Sequence, residues 1–302
     1  MGIKAILGAI FIIIVFGLIG IYYFMPFSEL EFTSNPLNYN FTIDGNTSNM
    51  QFYSNMRFEE KELSYKISDC NIKKQEEMRT AFEIMENLTV LSFYPVSDNE
   101  DITVTCDERA KFEGGMFIAG EGGPTQVVRA GLYNVISHGK ILLLRTSDCE
   151  RPNVAIHELL HVLGFVHSNN PNNVMYNYTS CKQTVGDDIP NLINELYSIP
   201  NYPDLVFENA SARMNGRYLD LEMTVKNFGL EESKPTLIKI NMKDDTLKEI
   251  ELEGLGIGNG KIISVSNVFV GKLNIEDIEL VIDYSEKELD KENNKIILEI
   301  NK

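Results

Sequence analysis

The fold of this chain is decided by residues 157–167, which read HELLHVLGFVH. His157 and His161 are four residues apart, so a helix places both imidazoles on the same face. Two imidazole nitrogens on one face can reach a single zinc ion at about 2.0–2.1 Å. Glu158 is offset around the helix and lies beside such an ion, which is the position of a general base. The stretch therefore predicts a helix that carries a metal site.

The residues after this helix complete the predicted site. Gly164 has the backbone freedom to end the helix in a left-handed turn, and the turn brings His167 back as a third nitrogen ligand. Three histidines leave the fourth position of a tetrahedral zinc ion open, as in catalytic rather than structural sites. Met175 follows within residues 173–176, which read NVMY, and we predict that it forms an apolar floor beneath the ligands.

The alternative is that these are ordinary surface or core histidines. Three of the four histidines in the chain fall in this one pattern, which favours the metal site. The fourth, His138, lies between strand-like runs, and we interpret it as a structural or surface residue in a loop.

The charge of the chain limits the classes of molecule that it is expected to bind. Its 302 residues include 27 Lys and Arg and 44 Asp and Glu, for a formal net charge of -17. Nucleic-acid binding requires clustered cations at the phosphates, so this composition argues against a nucleic-acid partner. The acidity indicates a solvated surface, with attraction of a cationic substrate as the alternative.

An apolar segment at residues 5–24 contains no charged side chain. Twenty helical residues span about 30 Å, the thickness of the bilayer core. Lys4 precedes the segment and acidic residues follow it, so the positive-inside rule predicts a cytoplasmic N-terminus and an extracellular remainder. A cleaved signal peptide is the alternative, but residues 22–26 offer no small-residue cleavage site. We predict a single-pass transmembrane anchor over residues 1–26 and a stalk over residues 27–55.

All four cysteines follow the predicted anchor, and disulfides persist outside the cell. They are Cys70, Cys106, Cys149 and Cys181. Three pairings are open at this point, and a Cys149–Cys181 bridge would tie the flanks of the metal site together. A structural zinc site built from the cysteines is the rival, but no two of them have the spacing of a zinc-binding pair.

Residues 56–198 have the pattern of a mixed α and β domain. Strand-like runs at residues 62–67, 102–105 and 141–144 accompany an amphipathic helix at residues 72–88. The metal-site helix follows and runs from Pro152 towards Leu163. Five glycines between the strand-like runs are interpreted as loop residues: Gly114, Gly115, Gly120, Gly122 and Gly123.

Residues 203–302 have the pattern of an all-β domain. Apolar and polar residues alternate over residues 219–225, which is typical of a strand with one buried face. Similar runs recur at residues 238–242, 250–252, 278–282 and 296–300. About seven short strands in about 100 residues predict an immunoglobulin-like sandwich.

The extended pattern of histidines, glutamate, glycine and methionine resembles the signature of the metzincin zinc peptidases. Within that clan, His167-Ser168 and Met175-Tyr176 are most similar to the matrixins. The likeness continues upstream and covers about residues 60–178. The upstream segments that carry it are residues 63–67, 81–82 and 91–93. The resemblance implies a zincin-like fold with a twisted, mostly parallel sheet, an antiparallel edge strand, an active-site helix and a cleft for an extended peptide.

The resemblance also implies a chemistry. His157, His161 and His167 would hold one catalytic zinc ion, Met175 would form the Met-turn, and Glu158 would activate a zinc-bound water and pass its proton to the leaving amine. The region between residues 106 and 150 lacks the ligands of the matrixin structural zinc, so we predict one zinc only. Pro is missing after Tyr176, where matrixins have a wall of the specificity pocket, and Asn177-Tyr178 stands there instead.

The C-terminal domain resembles the CARDB family of bacterial and archaeal surface proteins. Asn227-Phe228-Gly229, residues 281–283 and residues 288–294 carry this likeness, which implies a spacer or adhesion module. Calcium at the Asp, Glu and Asn residues of 288–294 is an alternative to a solvated turn, and we do not predict it.

Together these observations predict a membrane-anchored extracellular zinc endopeptidase that cleaves protein or peptide substrates. The competing hypothesis is a cell-surface adhesion or envelope protein whose peptidase-like domain binds without cutting. A third is a metal-dependent hydrolase that acts on other bonds. Glu158 and all three histidines are present, which favours the first.

Overall fold

The computed structural model describes residues 50–109, 111–113, 116–146, 149–243, 245–270 and 275–300. The predicted anchor and most of the predicted stalk lie outside these residues. Within the described ranges, no helix is both long and apolar enough to cross a bilayer.

The described residues up to 198 are organised around a six-stranded mixed sheet and a separate two-stranded hairpin. The strands are β1 (Met56–Phe58), β2 (Glu62–Ile67), β3 (Ser92–Pro95), β4 (Ile102–Cys106), β5 (Phe112–Glu113), β6 (Met116–Phe117), β7 (Gly120–Ala130) and β8 (Tyr133–Leu143). β3, β2, β4 and β8 pair in parallel in that order, and β1 pairs in parallel with the start of β8. β7 is the antiparallel edge strand along β8. β5 and β6 form the hairpin.

Three helices accompany the sheet in this described region: α1 (Ile72–Leu88), α2 (Asn153–Val162) and α3 (Asp188–Leu196). The predicted helix at residues 72–88 is confirmed. Its first turn is capped by Asn71, whose Oδ1 accepts a hydrogen bond from the backbone N–H of Lys74 at 3.0 Å. Every residue of α2 is buried, which fits its high apolar content and its place in the domain core.

Two expectations about the central region are wrong. Gly120, Gly122 and Gly123 lie in strand β7 rather than in a loop, and His138 lies in strand β8. Glycine weakens a strand on its own, but a packed helix can require it where two backbones approach closely. His138 is held in the sheet by Thr103 Oγ1 at 3.1 Å and Thr125 Oγ1 at 2.7 Å.

The cysteine pairing that sequence left open is Cys70–Cys106 and Cys149–Cys181. All four cysteines are therefore in disulfides, which excludes the rival zinc site. The first bridge joins the approach to α1 to the end of β4. Close to it the buried ammonium of Lys74 donates hydrogen bonds to the carbonyls of Asp107 at 2.8 Å and Leu144 at 3.1 Å.

The described residues from 205 onward form two antiparallel sheets packed face to face. The strands are β9 (Leu205–Asn215), β10 (Tyr218–Asn227), β11 (Thr236–Met242), β12 (Asp245–Leu252), β13 (Gly260–Phe269), β14 (Asp277–Asp283) and β15 (Lys295–Glu299). One sheet has the order β13-β10-β9 and the other β12-β11-β14-β15. Leu221 and Ile240, one from each sheet, belong to the same buried apolar cluster. The predicted sandwich is confirmed.

Residues 199–204 join the two domains, and Arg57 fastens this joining segment to the first domain. Its buried guanidinium donates hydrogen bonds to Leu196 O at 2.8 Å, Ile199 O at 3.2 Å and Asn201 Oδ1 at 2.7 Å. The same group lies over the Tyr197 ring, 4.2 Å from its centroid, and burial lowers the pKa of Arg57. Because Arg57 stands in β1, the joining segment is tied directly to the sheet.

Candidate metal centre

The three predicted ligands meet at one point. The Nε2 atoms of His157, His161 and His167 are 3.0 to 3.2 Å apart. Ligand nitrogens of a tetrahedral zinc ion, with bonds of about 2.0–2.1 Å, are expected about 3.3 Å apart. The triangle therefore has the size of one face of a zinc tetrahedron. Among the described residues, these three form the group of His, Cys, Asp and Glu side chains whose ligand atoms cluster closely enough to hold a metal.

Hydrogen bonds fix which nitrogen of two of these rings is bare. His157 Nδ1 lies 2.7 Å from Val174 O, and His161 Nδ1 lies 2.8 Å from Phe165 O. A carbonyl only accepts, so each Nδ1 carries the proton and each Nε2 presents a lone pair. Two bare Nε2 lone pairs at 3.0 Å cannot hydrogen-bond to each other. A cation that both coordinate removes this conflict.

Burial also keeps these rings neutral. It lowers the pKa of His157 to about 4 and that of His161 to about 3, with smaller effects from the neighbouring histidines. Burial lowers the pKa of His167 as well, although this ring is more exposed. A metal ion binding at neutral pH therefore has no proton to displace from the two buried rings.

The turn after α2 is built by Gly164, which has φ +95°. Phe165 N donates to Leu160 O and Gly164 N donates to His161 O, each at 3.0 Å. This pair of bonds is a Schellman motif, and it satisfies the last carbonyls of the helix while reversing the chain. The turn leads directly to His167, as the sequence predicted.

Residues 50–52 support the same turn from outside. Phe52 N donates to Gly164 O at 2.8 Å, and Val166 N donates to Met50 O at 2.9 Å. The Phe52 ring lies 5.9 Å from the ring of His161, measured between centroids. The end of the predicted stalk is thus part of the wall beside the metal ligands.

The segment of the predicted Met-turn is tied to His157 and to Ser168, the residue that follows His167. Val174 accepts the hydrogen bond from His157, and Ser168 N donates to Met175 O at 2.8 Å. Met175 is 1% exposed and belongs to the apolar core of the domain. Asn173 turns the chain before it by accepting from Met175 N at 2.8 Å.

Glu158 is packed against β7 by two glycines. A Cβ at Gly120 would lie 2.7 Å from the Glu158 side chain, and a Cβ at Gly122 would lie 2.3 Å from the Glu158 carbonyl oxygen. These distances leave no room for a side chain, so the glycines allow α2 and the edge strand to touch. Burial, assisted by the charge of Glu121, raises the pKa of Glu158 to about 8, and a cation bound nearby would lower it.

The site opens onto an unpaired strand edge. In the described residues β7 pairs with β8 alone, so its other edge presents free backbone groups. The segment Gly120–Gly122 of this strand is also the part that contacts Glu158. An extended chain added to that edge would lie next to the carboxylate.

Comparison with protein families identifies both domains. Residues 57–198 match the family model described as Matrixin, and residues 202–297 match the model described as CARDB. The chain contains a matrixin domain followed by a CARDB domain. Both resemblances drawn from the sequence are confirmed. The matrixin match supports a metallopeptidase of the metzincin kind for the first domain.

Solved structures give weaker likenesses. The CARDB domain of the PF1109 protein from Pyrococcus furiosus, in complex with di-metal ions, is 19% identical, covers 33% of this chain and 90% of that chain, and has a TM-score of 0.28. High choriolytic enzyme 1, a hatching enzyme zinc-protease from medaka (Oryzias latipes), is 16% identical, covers 42% and 54%, and has a TM-score of 0.23. A search of curated proteins finds no match. The assignment therefore rests on the two family models.

The acidic turn of the CARDB domain forms an internal hydrogen-bonded network. Asn293 Nδ2 donates to Asp204 Oδ1 at 2.8 Å, and Asn294 Nδ2 donates to Glu288. Glu288 also accepts from Leu205 N at 2.9 Å. Burial raises the pKa of both Asp204 and Glu288. The network fastens the start of β9 to the end of the sandwich.

Two contributions to the site were not predicted from sequence. The close packing of Gly120 and Gly122 was missed because these residues were assigned to a loop. Their alternation, Gly-x-Gly, places both on one face of a strand and was the available signal. Nothing in the sequence indicates that Phe52 lies beside His161, because this position depends on a contact with a segment more than 100 residues away.

The glycine packing predicts a difference between two neighbouring substitutions. Gly122→Ala should lower the free energy of unfolding by about 1–3 kcal/mol, because the new methyl group overlaps the α2 backbone. Gly123→Ala is the matched control, since nothing lies within 4 Å of a Cβ there, and should change it by less than about 0.5 kcal/mol. Urea unfolding of the zinc-loaded proteins measures both. Equal stability of the two variants would contradict the packing.

Removing either disulfide should lower stability by a similar amount, whereas only one of them should affect zinc affinity. They close loops of similar length, with sequence separations of 36 and 32, so removing either should cost about 3–4 kcal/mol. Cys149→Ser/Cys181→Ser should also weaken zinc binding roughly tenfold, because this bridge encloses the ligand helix and the Met-turn. Cys70→Ser/Cys106→Ser should leave zinc affinity unchanged. Chelator competition measures the affinity, and similar losses in both double variants would exclude a specific role for the second bridge.

Proposed function

We propose that the protein is a membrane-anchored extracellular zinc endopeptidase. The observation that carries this proposal is the triangle of three imidazole nitrogens at 3.0 to 3.2 Å, next to a buried glutamate and an open strand edge. The matrixin family match supports the same class of chemistry.

Zinc fits the donor set better than calcium or magnesium does. Three neutral imidazoles without a carboxylate or thiolate suit a borderline metal rather than calcium or magnesium, which prefer oxygen ligands. Zinc held by three histidines supplies Lewis acidity and acidifies a neighbouring water. His157, His161 and His167 would hold it, and the carbonyls of Val174 and Phe165 keep the first two rings oriented.

Glu158 performs the proton transfers in this proposal. Its carboxylate accepts a proton from the attacking water and delivers it to the nitrogen of the leaving amine. The packing of Gly120 against its side chain restricts where the carboxylate can lie. This restriction keeps the base on the side of the site that faces the edge strand.

The open edge of β7 favours an extended peptide as the substrate. A peptide that adds to the edge gains main-chain hydrogen bonds, and its alternate side chains face the protein. Such binding is insensitive to most side chains, so the proposed enzyme is expected to cleave unfolded proteins. An ester or other small substrate would gain little from this edge.

The role of Glu158 gives the test of the proposed function. Glu158→Gln preserves the shape of the side chain but removes the base, so casein cleavage should fall by a factor of about 100 to 10,000, while about one zinc per chain remains bound. Glu195→Gln, at an exposed position of α3, is the control and should cleave casein like the wild type. Metal analysis and a fluorescent casein assay, each with and without chelator, measure the two properties.

The outcomes separate the hypotheses. Chelator-sensitive cleavage by the wild type and by Glu195→Gln alone supports the peptidase. Bound zinc with no cleavage of casein or of a panel of unfolded proteins would favour a binding or adhesion role over the peptidase. Cleavage of esters without cleavage of peptides would indicate another hydrolase.

Membrane anchoring and an extracellular location are part of the same proposal. The apolar segment at residues 5–24 has the length of a spanning helix. Two disulfides join all four cysteines, which fits a domain that stays in an oxidising compartment. Both observations favour a catalytic domain exposed on the outer side of the membrane.

Cell fractionation tests this location. The full chain should remain with membranes after a carbonate wash, whereas residues 27–302 expressed alone should be soluble. Protease added to intact cells should degrade the domains, because they lie outside. A mature protein that begins after residue 26 and is released into the medium would instead show a cleaved signal peptide.

A further inference from the structure

The motif Asn227-Phe228-Gly229 of the CARDB domain lies at the junction of the two domains. Asn227 is fully buried and uses its whole side-chain amide: Oδ1 accepts from Asp204 N at 3.0 Å and Gly229 N at 2.9 Å. Its Nδ2 donates to the carbonyls of Glu231 at 2.7 Å and Leu255 at 2.8 Å. The turn is thus rigid and bound to the joining segment.

The joining segment packs directly on this turn. A Cβ at Gly229 would lie 2.4 Å from Tyr202 O and from Pro203 C, so only glycine fits there. Leu230 N donates to Tyr202 O at 2.9 Å, and Leu289 N donates to Pro203 O at 3.0 Å. Since Arg57 holds the other end of the segment, the CARDB domain has a fixed attachment.

The same turn touches the hairpin formed by β7 and β8. A Cβ at Gly131, in the hairpin turn, would lie 2.9 Å from the Cβ of Phe228. A second CARDB turn approaches β7 itself, because a Cβ at Gly258 would lie 2.6 Å from Arg129 O. Between these contacts is a small apolar cluster that draws on both domains. Its residues are Ala130, Val135 and Leu230, with the partly buried Tyr133, Ile257 and Leu289.

This contact lies at the far end of the strand that borders Glu158. From Gly122 to Arg129 the strand extends about 23 Å, at about 3.3 Å per residue. Its middle is weakly held, since Pro124 cannot donate a hydrogen bond and the pairing with β8 shifts register on both sides of Gln126. The α2 helix packs against one end of β7, and the CARDB domain packs against the other end.

We propose that the CARDB domain positions the substrate strand of the matrixin domain, with Phe228 and Leu230 as the positioning residues. This inference rests on the proposed function for its substrate, an extended peptide added to β7. An edge strand has hydrogen-bonded support on one side only and opens readily. The CARDB contact suppresses this opening, so it lowers the cost of ordering β7 when a peptide binds.

A matched pair of substitutions in the full chain tests the proposal. Leu230→Ala and Leu280→Ala are chemically identical, and both residues are fully buried, the first at the junction and the second in the sandwich core. Each substitution removes the same atoms from a fully buried side chain and leaves a cavity. Leu230→Ala should speed amide hydrogen exchange of residues 120–130 at least tenfold and raise KM for casein roughly fivefold, with kcat within twofold of wild type. Leu280→Ala should leave both properties unchanged.

A third variant, Phe228→Ala, and the casein assay of the wild type separate the remaining outcomes. Phe228→Ala removes a half-buried side chain, so it disturbs folding less and should show the same changes in smaller degree. Similar exchange of residues 120–130 in both leucine variants, or no change in Leu230→Ala and Phe228→Ala, would overturn the proposal. If the wild type cleaves neither casein nor the panel of unfolded proteins, the proposed function fails, while hydrogen exchange still decides whether the CARDB domain holds β7.

Discussion

Three imidazole nitrogens within 3.2 Å of one another are the constraint on which the first domain of this protein depends. Two of them, on His157 and His161, present bare lone pairs that repel each other unless a cation lies between them. The surrounding chain holds all three rings in place. The Schellman turn at Gly164 reverses the chain, and the carbonyls of Val174 and Phe165 orient two of the rings. The Cys149–Cys181 bridge then closes the same region covalently.

The second requirement of the site is contact between a helix and a strand backbone. Gly120 and Gly122 bring β7 against Glu158, so the proposed base, the three clustered histidines and the open strand edge form one unit. The position of Glu158 is consequently determined by a strand and not only by its own helix. Any shift of β7 changes both the base and the surface on which a peptide would bind.

The CARDB domain belongs to this arrangement because it touches the far end of β7. Its resemblance to surface modules implied a spacer with no part in the chemistry. In the structure its Asn-Phe-Gly motif has three separate roles at the junction. Asn227 holds the turn, Phe228 contacts the β7–β8 hairpin, and Gly229 admits the joining segment.

The sequence by itself determined the elements whose signals are local. The spacing of His157 and His161, the glycine that ends their helix and the alternation of residues 219–225 each follow from the geometry of one helix, turn or strand. The tertiary structure alone decided the disulfide pairing, the strand conformation of Gly122 and the contact between Leu230 and the hairpin. These depend on segments that are distant in the chain, and no local periodicity records which segments meet. The alternation of Gly120 and Gly122 is compatible with a strand, but which backbone makes both glycines necessary is known only when α2 is seen to pack there.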